Sequence, residues 1–256
     1  MDLRSRSGGP GDGTLIRALL LLIFWSVYTV VGAIIAFPVT LLTRRIDFLW
    51  QLGMWGAKGG VWISGVRVSV VGGGAINPAQ TYIFMSNHVS NLDPPVIVPL
   101  LKRRMSILVK RELFRIPILS MGMRMANLVP VDRSNRDAAI ESVKQAVGVL
   151  RSGHSMLVYP EGTRSRDGKL LPFKKGPFHM AMESGVPIVP LTVVGTREAW
   201  PKGSWKVRPH AVTLQIHPPI DPKDFTERDA LMSTVFKAID SGLPEQYRSV
   251  NCTDAC

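Results

Sequence analysis

The sequence predicts an α/β fold in which a mostly parallel sheet is flanked by helices and follows an N-terminal membrane-embedded helix or helical hairpin. Short apolar runs of strand length alternate with helical stretches from about Val66 onwards, a pattern typical of a sheet whose faces are covered by helices. No charged residue occurs from Ala18 to Thr43, and this run exceeds the roughly 20 apolar residues that a membrane helix needs. Hydrophobic residues make up 46% and charged residues 20% of the chain, which permits a substantial core.

The residues before the sheet divide into a flexible leader and a membrane-anchoring segment. We assign residues 1–14 to the leader and residues 15–64 to the helical anchor. The apolar run is too long for the core of a cleaved signal peptide, and Pro38 is expected to interrupt its helix. Tryptophans suited to the headgroup layer follow it, at Trp50, Trp55 and Trp62. Because arginines flank the run on both sides, both a single spanning helix and a hairpin that dips into one leaflet fit the sequence.

Residues 65–245 form the predicted α/β domain, and residues 246–256 form a tail. Helices are expected over 134–153, where Ser134 and Asp137 are a plausible capping pair, over roughly 176–184, and over 226–242. The predicted strands are the runs VRVSVVG, TYIFMS, SILVK, NLVPV, SMLVYP, VPIVPLTVVG and AVTLQIHPPI.

The charge of the chain narrows the class of partner. Its 31 basic and 19 acidic residues give a formal net charge of +12, which suits nucleic acid, an acidic membrane surface, or a phosphorylated or acidic carrier molecule. No recognition helix or ribonucleoprotein-like motif occurs, so nucleic acid is not expected. The histidines lack the spacing of metal ligands, so no metal site is predicted. Cys252 and Cys256 lie in the tail and do not resemble a disulfide framework.

The stretch MSNHVSNLDPP places a histidine and an aspartate in one short polar segment directly after a predicted strand. His88 would therefore stand at the end of the sheet, where α/β folds place their sites. Asp93 precedes a proline, which disfavours helical geometry and favours a tight loop, so its carboxylate can accept a hydrogen bond from one imidazole nitrogen. The other nitrogen then acts as a base, as in a hydrolase triad. Because no G-x-S-x-G nucleophile elbow occurs, this pair makes sense if the substrate brings its own hydroxyl. A purely structural histidine is the alternative.

A second polar segment, VYPEGTRSRDGKLLPFKKG, follows another predicted strand. Gly162 allows a close approach of the backbone to a ligand, and Arg164 offers a planar fork of donors for phosphate oxygens. The spacing does not match G-x4-G-K-[ST], so nucleotide hydrolysis is not supported. A basic surface loop is the alternative.

Lys110 and Arg133 each end a predicted strand. If the sheet is mostly parallel, they lie at the same edge as His88 and would complete an anion site. A solvated surface charge is the alternative for both.

Together these motifs resemble one family, the glycerolphosphate acyltransferases of the bacterial 1-acylglycerol-3-phosphate acyltransferase type, over about residues 60–220. The family's N-H-x4-D block is similar to Asn87, His88 and Asp93. Four further blocks follow in the family's order, as KRELFRIP, VDR, YPEGTRS and VPIVPLTVVG. Tyr159 replaces the usual phenylalanine and Pro130 precedes the VDR block. Neither change removes a group expected to do chemistry, so they affect fine specificity only.

The resemblance implies an enzyme that moves a fatty acyl chain from acyl-CoA or acyl carrier protein to the free hydroxyl of a lysophosphatidate, giving phosphatidate. His88 would be the general base and Asp93 would orient it, while Glu161, Gly162, Thr163 and Arg164 lie in the acceptor-binding block. Lys110 and Arg133 would assist. No cofactor or metal is implied beyond the acyl donor as co-substrate.

The implied surroundings are membrane lipids at the cytoplasmic side of the bacterial inner membrane, with the oligomeric state left open. Two alternatives stay open at this point. The acceptor is another lyso-lipid, such as a lyso-ornithine lipid or a lysophospholipid, or the chain is a non-catalytic membrane lipid-binding protein.

Overall fold

Two N-terminal helices form an antiparallel hairpin in the computed structural model, which describes residues 12–43, 45–131 and 136–249. Helix α1 spans Asp12–Thr43 and α2 spans Asp47–Ser64. The ring of Trp25 packs where a Cβ atom at Gly60 would lie, and the ring of Tyr28 does the same at Gly56. Glycine in α2 therefore lets the aromatic residues of α1 approach its backbone. In addition, the Tyr28 hydroxyl donates to the Leu52 carbonyl at 2.6 Å.

Helix α1 is the one helix in the described ranges that is long and apolar enough to cross a membrane, judged by length and composition. The expected interruption at Pro38 is wrong, because α1 continues through this residue to Thr43. Proline removes one N–H donor, and helices of this apolar kind tolerate the loss when nearby groups supply other hydrogen bonds.

In the described part of the chain, seven strands follow in a single sheet of order β1-β7-β6-β2-β5-β3-β4. All neighbouring pairs are parallel except β6 and β7, which confirms the predicted mostly parallel α/β fold. The strands are β1 Arg67–Gly72, β2 Ile83–Ser86, β3 Met105–Lys110, β4 Val129–Val131, β5 Ser155–Val158, β6 Ile188–Val194 and β7 Ala211–Ile216.

Helices connect the strands and cover both faces of the sheet. They are α3 Asp93–Leu100, α4 Pro117–Met125, α5 Arg136–Arg151, α6 Gly176–Ser184, α7 Thr196–Ala199 and α8 Arg228–Ser241, with 3-10 turns at Arg111–Arg115, Pro222–Asp224 and Glu245–Tyr247. The expected helices over 134–153, 176–184 and 226–242 correspond to α5, α6 and α8. The proposed cap residue Ser134 and the tail cysteines lie outside the described residues, as does the side chain of Asp137.

Most of the core of the described residues is two apolar layers, one on each face of the sheet, and a small third cluster joins α1 to Val207. Ile83 and Met85 of β2 face the layer formed with α5, α6 and α8, whereas Phe84 faces the layer formed with α3, against which Trp50 and Met54 of α2 also pack. Burial on both faces explains why the central strands are continuous apolar runs. Because β2 and β5 are parallel neighbours, the segments that follow them emerge at one edge of the sheet.

Helix α3 departs from the sequence expectation that Asp93 lies in a tight loop. Asp93 is instead the first residue of α3, with two prolines directly after it. Proline is tolerated in the first turn of a helix, where backbone N–H groups have no partner within the helix. The dipeptides that suggested a loop therefore mark a helix start.

Candidate active site

The segment after β2 is fastened to the neighbouring strand β6 by a buried amide. The Asn87 side chain donates to the Val193 carbonyl at 2.9 Å and accepts from the Val193 N–H at 2.8 Å. These two bonds continue the hydrogen bonding between β2 and β6 beyond the end of β2, with a side chain in place of backbone groups. It fixes the backbone immediately before His88.

His88 and Asp93 form a hydrogen-bonded pair at this edge of the sheet. His88 Nδ1 lies 2.7 Å from Asp93 Oδ2, and the two side chains are 16% and 0% exposed. The same carboxylate oxygen accepts the N–H groups of Val89 and Ser90 at 2.8 and 2.9 Å, while Oδ1 accepts the Thr196 hydroxyl at 2.6 Å. With four donors, the carboxylate uses its accepting capacity in full. The position of Asp93 in the first turn of α3 also favours a negative charge.

This environment determines which ring nitrogen of His88 carries the hydrogen. Because Nδ1 faces an oxygen that only accepts, it carries the hydrogen, and Nε2 is left with a lone pair. Within the described ranges no side chain forms a hydrogen bond with Nε2. Nε2 is therefore available to accept a hydrogen bond, and no serine or threonine hydroxyl from the described part of the chain bonds to it.

The imidazole stacks on Tyr159, with ring centroids 3.9 Å apart and an interplanar angle of 19°. The Tyr159 hydroxyl is buried and has no hydrogen-bond partner among the described residues. Burial, followed by the negative charge of Asp93, raises the pKa of Tyr159 well above its usual value. The ring therefore supports His88 by packing.

Glu161 is a buried brace between the two polar segments. Its Oε1 accepts the His88 N–H at 2.7 Å and its Oε2 accepts the Leu171 N–H at 2.9 Å. A further backbone bond runs from the Ser165 N–H to the His88 carbonyl at 2.8 Å. Burial raises the pKa of Glu161 to about 8, against the lowering effect of the two backbone donors. Glu161 thus holds the histidine in place from the segment that carries Arg164.

The turn after Glu161 needs glycine and carries the cationic groups. Gly162 has a φ of 72°, which other residues adopt only at a cost, and its N–H donates to the Tyr159 carbonyl at 3.0 Å. Arg164 Nη1 donates to Asn91 Oδ1 at 2.8 Å, which links this turn to the His88 segment. From a distant loop, Lys202 Nζ donates to the Arg164 carbonyl at 2.7 Å and to the Thr163 hydroxyl at 3.2 Å.

The other two predicted anion-binding residues have different outcomes. Lys110 ends β3 at the same sheet edge, as expected, but its exposed ammonium lies 3.3 Å from Glu112 Oε1. No contact within the described residues joins Lys110 to the histidine pair. Arg133 lies outside the described residues.

Two cavities adjoin these segments. One, of about 380 Å³, lies between the helical hairpin and α3, and its wall includes Asn91, Leu92 and Trp200. The other, of about 360 Å³, is lined by Tyr159 to Thr163 and by residues of α5 and α6. Ile107 lines the first and Leu108 the second, and because successive strand residues point to opposite faces, the two cavities lie on opposite faces of the sheet.

The chain is similar to known proteins in both sequence and structure. Residues 67–194 match the family model described as Acyltransferase. The structure of the LPA acyltransferase PlsC from Thermotoga maritima is 30% identical, with a TM-score of 0.73, and covers 89% of this chain and 95% of its own. The chain belongs to the acyltransferase family. The matched residues include both polar segments and the strands that carry them.

Further relatives in the acyltransferase family are enzymes named 1-acyl-sn-glycerol-3-phosphate acyltransferase. The protein from Limnanthes douglasii is 40% identical over 65% of this chain, and that from Borreliella burgdorferi is 33% identical over 65% of it and 67% of its own length. The chain spans 59% of the length of the Limnanthes douglasii relative.

Sequence reasoning missed two residues that contact this site, Thr196 and Lys202. Thr196 follows Gly195 directly after β6, so its position at a strand end was a usable signal. Lys202 lies in an irregular loop after α7, and nothing in the local sequence distinguishes it from the other lysines.

Proposed function

We propose that this protein transfers a fatty acyl chain from a thioester donor, acyl-CoA or acyl carrier protein, to the free hydroxyl of 1-acylglycerol-3-phosphate, forming phosphatidate. The observation that carries the proposal is the His88–Asp93 pair, in a segment that the Arg164–Asn91 hydrogen bond joins to the cationic turn. The names of the relatives in the acyltransferase family support the same reaction and acceptor.

The reaction follows from the roles of the two residues. His88 Nε2 takes the proton of the acceptor hydroxyl as its oxygen attacks the thioester carbonyl carbon. The tetrahedral intermediate then expels the sulfur, which receives the proton from the imidazolium. Asp93 stabilises the imidazolium and holds the ring in place. General base catalysis of this kind contributes roughly 10²–10⁴ in rate.

The acceptor phosphate is bound by Arg164, in the turn formed with Gly162 and Thr163. Glu161 contributes by positioning this turn against His88. Lys110, at the end of β3, adds positive charge at the same edge of the sheet, and the resemblance of the VDR block implies the same contribution from Arg133. Because a thioester is already an activated acyl group, the proposed reaction calls for no resident cofactor or metal.

The membrane supplies the acceptor in this proposal. Large apolar side chains on α1 are exposed, among them Leu19, Ile34 and Leu42, and Trp62 of α2 is 81% exposed. We propose that residues 15–64 anchor the α/β domain, residues 65–245, at the cytoplasmic face of a bacterial inner membrane, where acyl-CoA and acyl carrier protein occur. Amphipathic tryptophans suit the headgroup layer at such a boundary.

The test is phosphatidate formation in detergent from 1-acylglycerol-3-phosphate with acyl-CoA or acyl carrier protein. We expect wild type to be active, His88→Ala to lose about 10²–10⁴ in kcat, and Arg164→Ala to raise mainly the acceptor KM. His154→Ala, which alters a histidine bonded to Ser152 and Asn127, is the matched control and should retain activity. Activity only on a lyso-ornithine lipid would show that the proposed acceptor is wrong. Full activity of His88→Ala would overturn the proposed mechanism.

A further inference from the structure

The loop after α7 is fixed against the histidine segment. The Ser90 hydroxyl donates to the Trp200 carbonyl at 2.8 Å, and Ser90 and Pro201 form an isolated antiparallel bridge. The Trp200 indole N–H donates to the Ser204 carbonyl at 2.8 Å and closes the loop on itself. Lys202, at the tip of this loop, is therefore held at a defined place relative to His88.

The Lys202 ammonium reaches the cationic turn and is only partly used there. It donates to the Arg164 carbonyl and to the Thr163 hydroxyl. An ammonium has three N–H donors, so one remains for a ligand. The side chain is half-buried and open to solvent, which leaves that donor accessible.

Lys202, Arg164 and Arg166 bring positive charge together here, and none of them forms an ion pair with a carboxylate of the described residues. Burial, followed by the charges of Arg166 and Arg164, lowers the pKa of Lys202. The four ion pairs that lysine or arginine forms within the described ranges all involve other cations. The carboxylate nearest in sequence to Arg166 is Asp167, and it accepts from the Ser165 hydroxyl and the Lys169 N–H. Like charges at short range repel one another, so an anionic ligand would stabilise this arrangement.

We propose that Lys202 is a further headgroup-binding residue and that, with Arg164, it selects acceptors that carry a phosphate monoester. This inference rests on the proposed acyl transfer. A guanidinium engages two oxygens of a phosphate through its planar fork, and an ammonium binds a third as a point charge. A monoester phosphate offers three free oxygens and close to two negative charges near neutral pH. A phosphodiester or zwitterionic headgroup offers less charge and fewer free oxygens.

The test compares Lys202→Met and Lys202→Arg with Lys206→Met, which alters an exposed lysine of the same loop. Acceptors are 1-acylglycerol-3-phosphate and the zwitterionic 1-acylglycerophosphoethanolamine. We expect Lys202→Met to raise the KM for the phosphate monoester roughly 10- to 100-fold with little change in kcat, as for loss of a charged hydrogen bond. The preference for the monoester should fall by the same factor, Lys202→Arg should restore part of it, and Lys206→Met should behave as wild type.

A role limited to fixing the turn would lower kcat for both acceptors alike and leave their ratio unchanged, which would overturn the proposal. Binding of glycerol 3-phosphate, measured by calorimetry without an acyl donor, separates the two hypotheses. If wild type forms no phosphatidate but Lys202→Met still weakens this binding, the anion site stands and the proposed reaction fails. If wild type is active and Lys202→Met changes neither KM nor binding, the role of Lys202 fails alone.

Discussion

The two polar segments at the sheet edge are built in opposite ways. Asp93 is fully buried and accepts four hydrogen bonds, so His88 has one orientation. Arg164 projects from a turn, and its side chain donates one hydrogen bond, to Asn91 of the His88 segment. Lys202 projects from a loop and donates two, to the Thr163 hydroxyl and the Arg164 carbonyl. The His88 segment therefore holds its side chains in one geometry, whereas the Arg164 turn and the Lys202 loop bring positive charges together.

The difference follows from what each task requires. Proton transfer demands that the base lie within hydrogen-bond distance of the hydroxyl, so an error of a fraction of an ångström is costly. Attraction between a cation and a phosphate falls off slowly with distance and tolerates movement of long side chains. We therefore expect substitutions in the histidine segment to change kcat and substitutions in the cationic turn to change KM.

Asp93→Asn should give the largest effect. His88 Nδ1 and the backbone N–H groups of Val89 and Ser90 all face one oxygen of Asp93, so the amide oxygen of asparagine takes that position and its NH2 group faces the Thr196 hydroxyl. The ring hydrogen then stays on Nδ1, but the neutral amide no longer stabilises the positive charge that the imidazole acquires when it takes the hydroxyl proton. We expect kcat to fall by roughly 10²–10⁴ with acceptor KM within a few-fold of wild type, measured under saturating donor.

Thr196→Val is the comparison for Asp93→Asn and should lower kcat less. It keeps the carboxylate and removes one donor to Oδ1, so kcat should fall by only about 10-fold, the cost of one hydrogen bond to a charged group. A rise in acceptor KM with unchanged kcat in Asp93→Asn would contradict the division of labour between the two segments.

Glu161→Gln probes the brace that joins the two segments, through the pH dependence of stability. In the folded protein burial raises the pKa of Glu161 to about 8, from its usual 4.5. Between these values the folded state retains a proton that the unfolded state has lost, so the free energy of unfolding falls as pH rises from about 4.5 to 8. This contribution is on the order of 1–4 kcal/mol, and it is absent in the glutamine variant.

Denaturant unfolding of wild type and Glu161→Gln at several pH values checks this expectation. The variant should show the smaller decrease in stability across the window, whatever its absolute stability. Glu183→Gln, at an exposed position of α6, controls for loss of a carboxylate and should keep the wild-type slope. Parallel curves for wild type and Glu161→Gln would show that Glu161 is ionised throughout.

Much of this edge could be predicted because it depends on local rules. An apolar strand followed by Asn87, His88 and Asp93 places those residues at the end of a parallel strand, and the same logic located Glu161 and Arg164. The prolines after Asp93 were misjudged, since their effect depends on whether a helix begins there. Thr196 and Lys202 depend on tertiary contacts across 103 and 38 positions of chain, which no local pattern encodes.

The hairpin of α1 and α2 shows the same limit of prediction from sequence. The length and lack of charge of its apolar run were readable in the sequence, but the pairing of α1 with α2 depends on which glycines of α2 face aromatic rings. That match between Gly56 and Tyr28, or Gly60 and Trp25, is a property of two helix faces together. Neither periodicity nor composition of one helix supplies it.

Tyr159→Phe should give the smallest effect and separates packing from polarity at His88. The ring that stacks on the imidazole is retained, while a buried hydroxyl without a hydrogen-bond partner in the described residues is removed. An unsatisfied buried hydroxyl costs about 1–3 kcal/mol, so we expect stability to rise by roughly 1 kcal/mol, with kcat and acceptor KM near wild type. Tyr159→Leu is the comparison, because it removes the stacked ring and should lower kcat. A loss of activity in Tyr159→Phe would mean that the hydroxyl contacts substrate, and the fixed segment would then recognise substrate as well as hold the base.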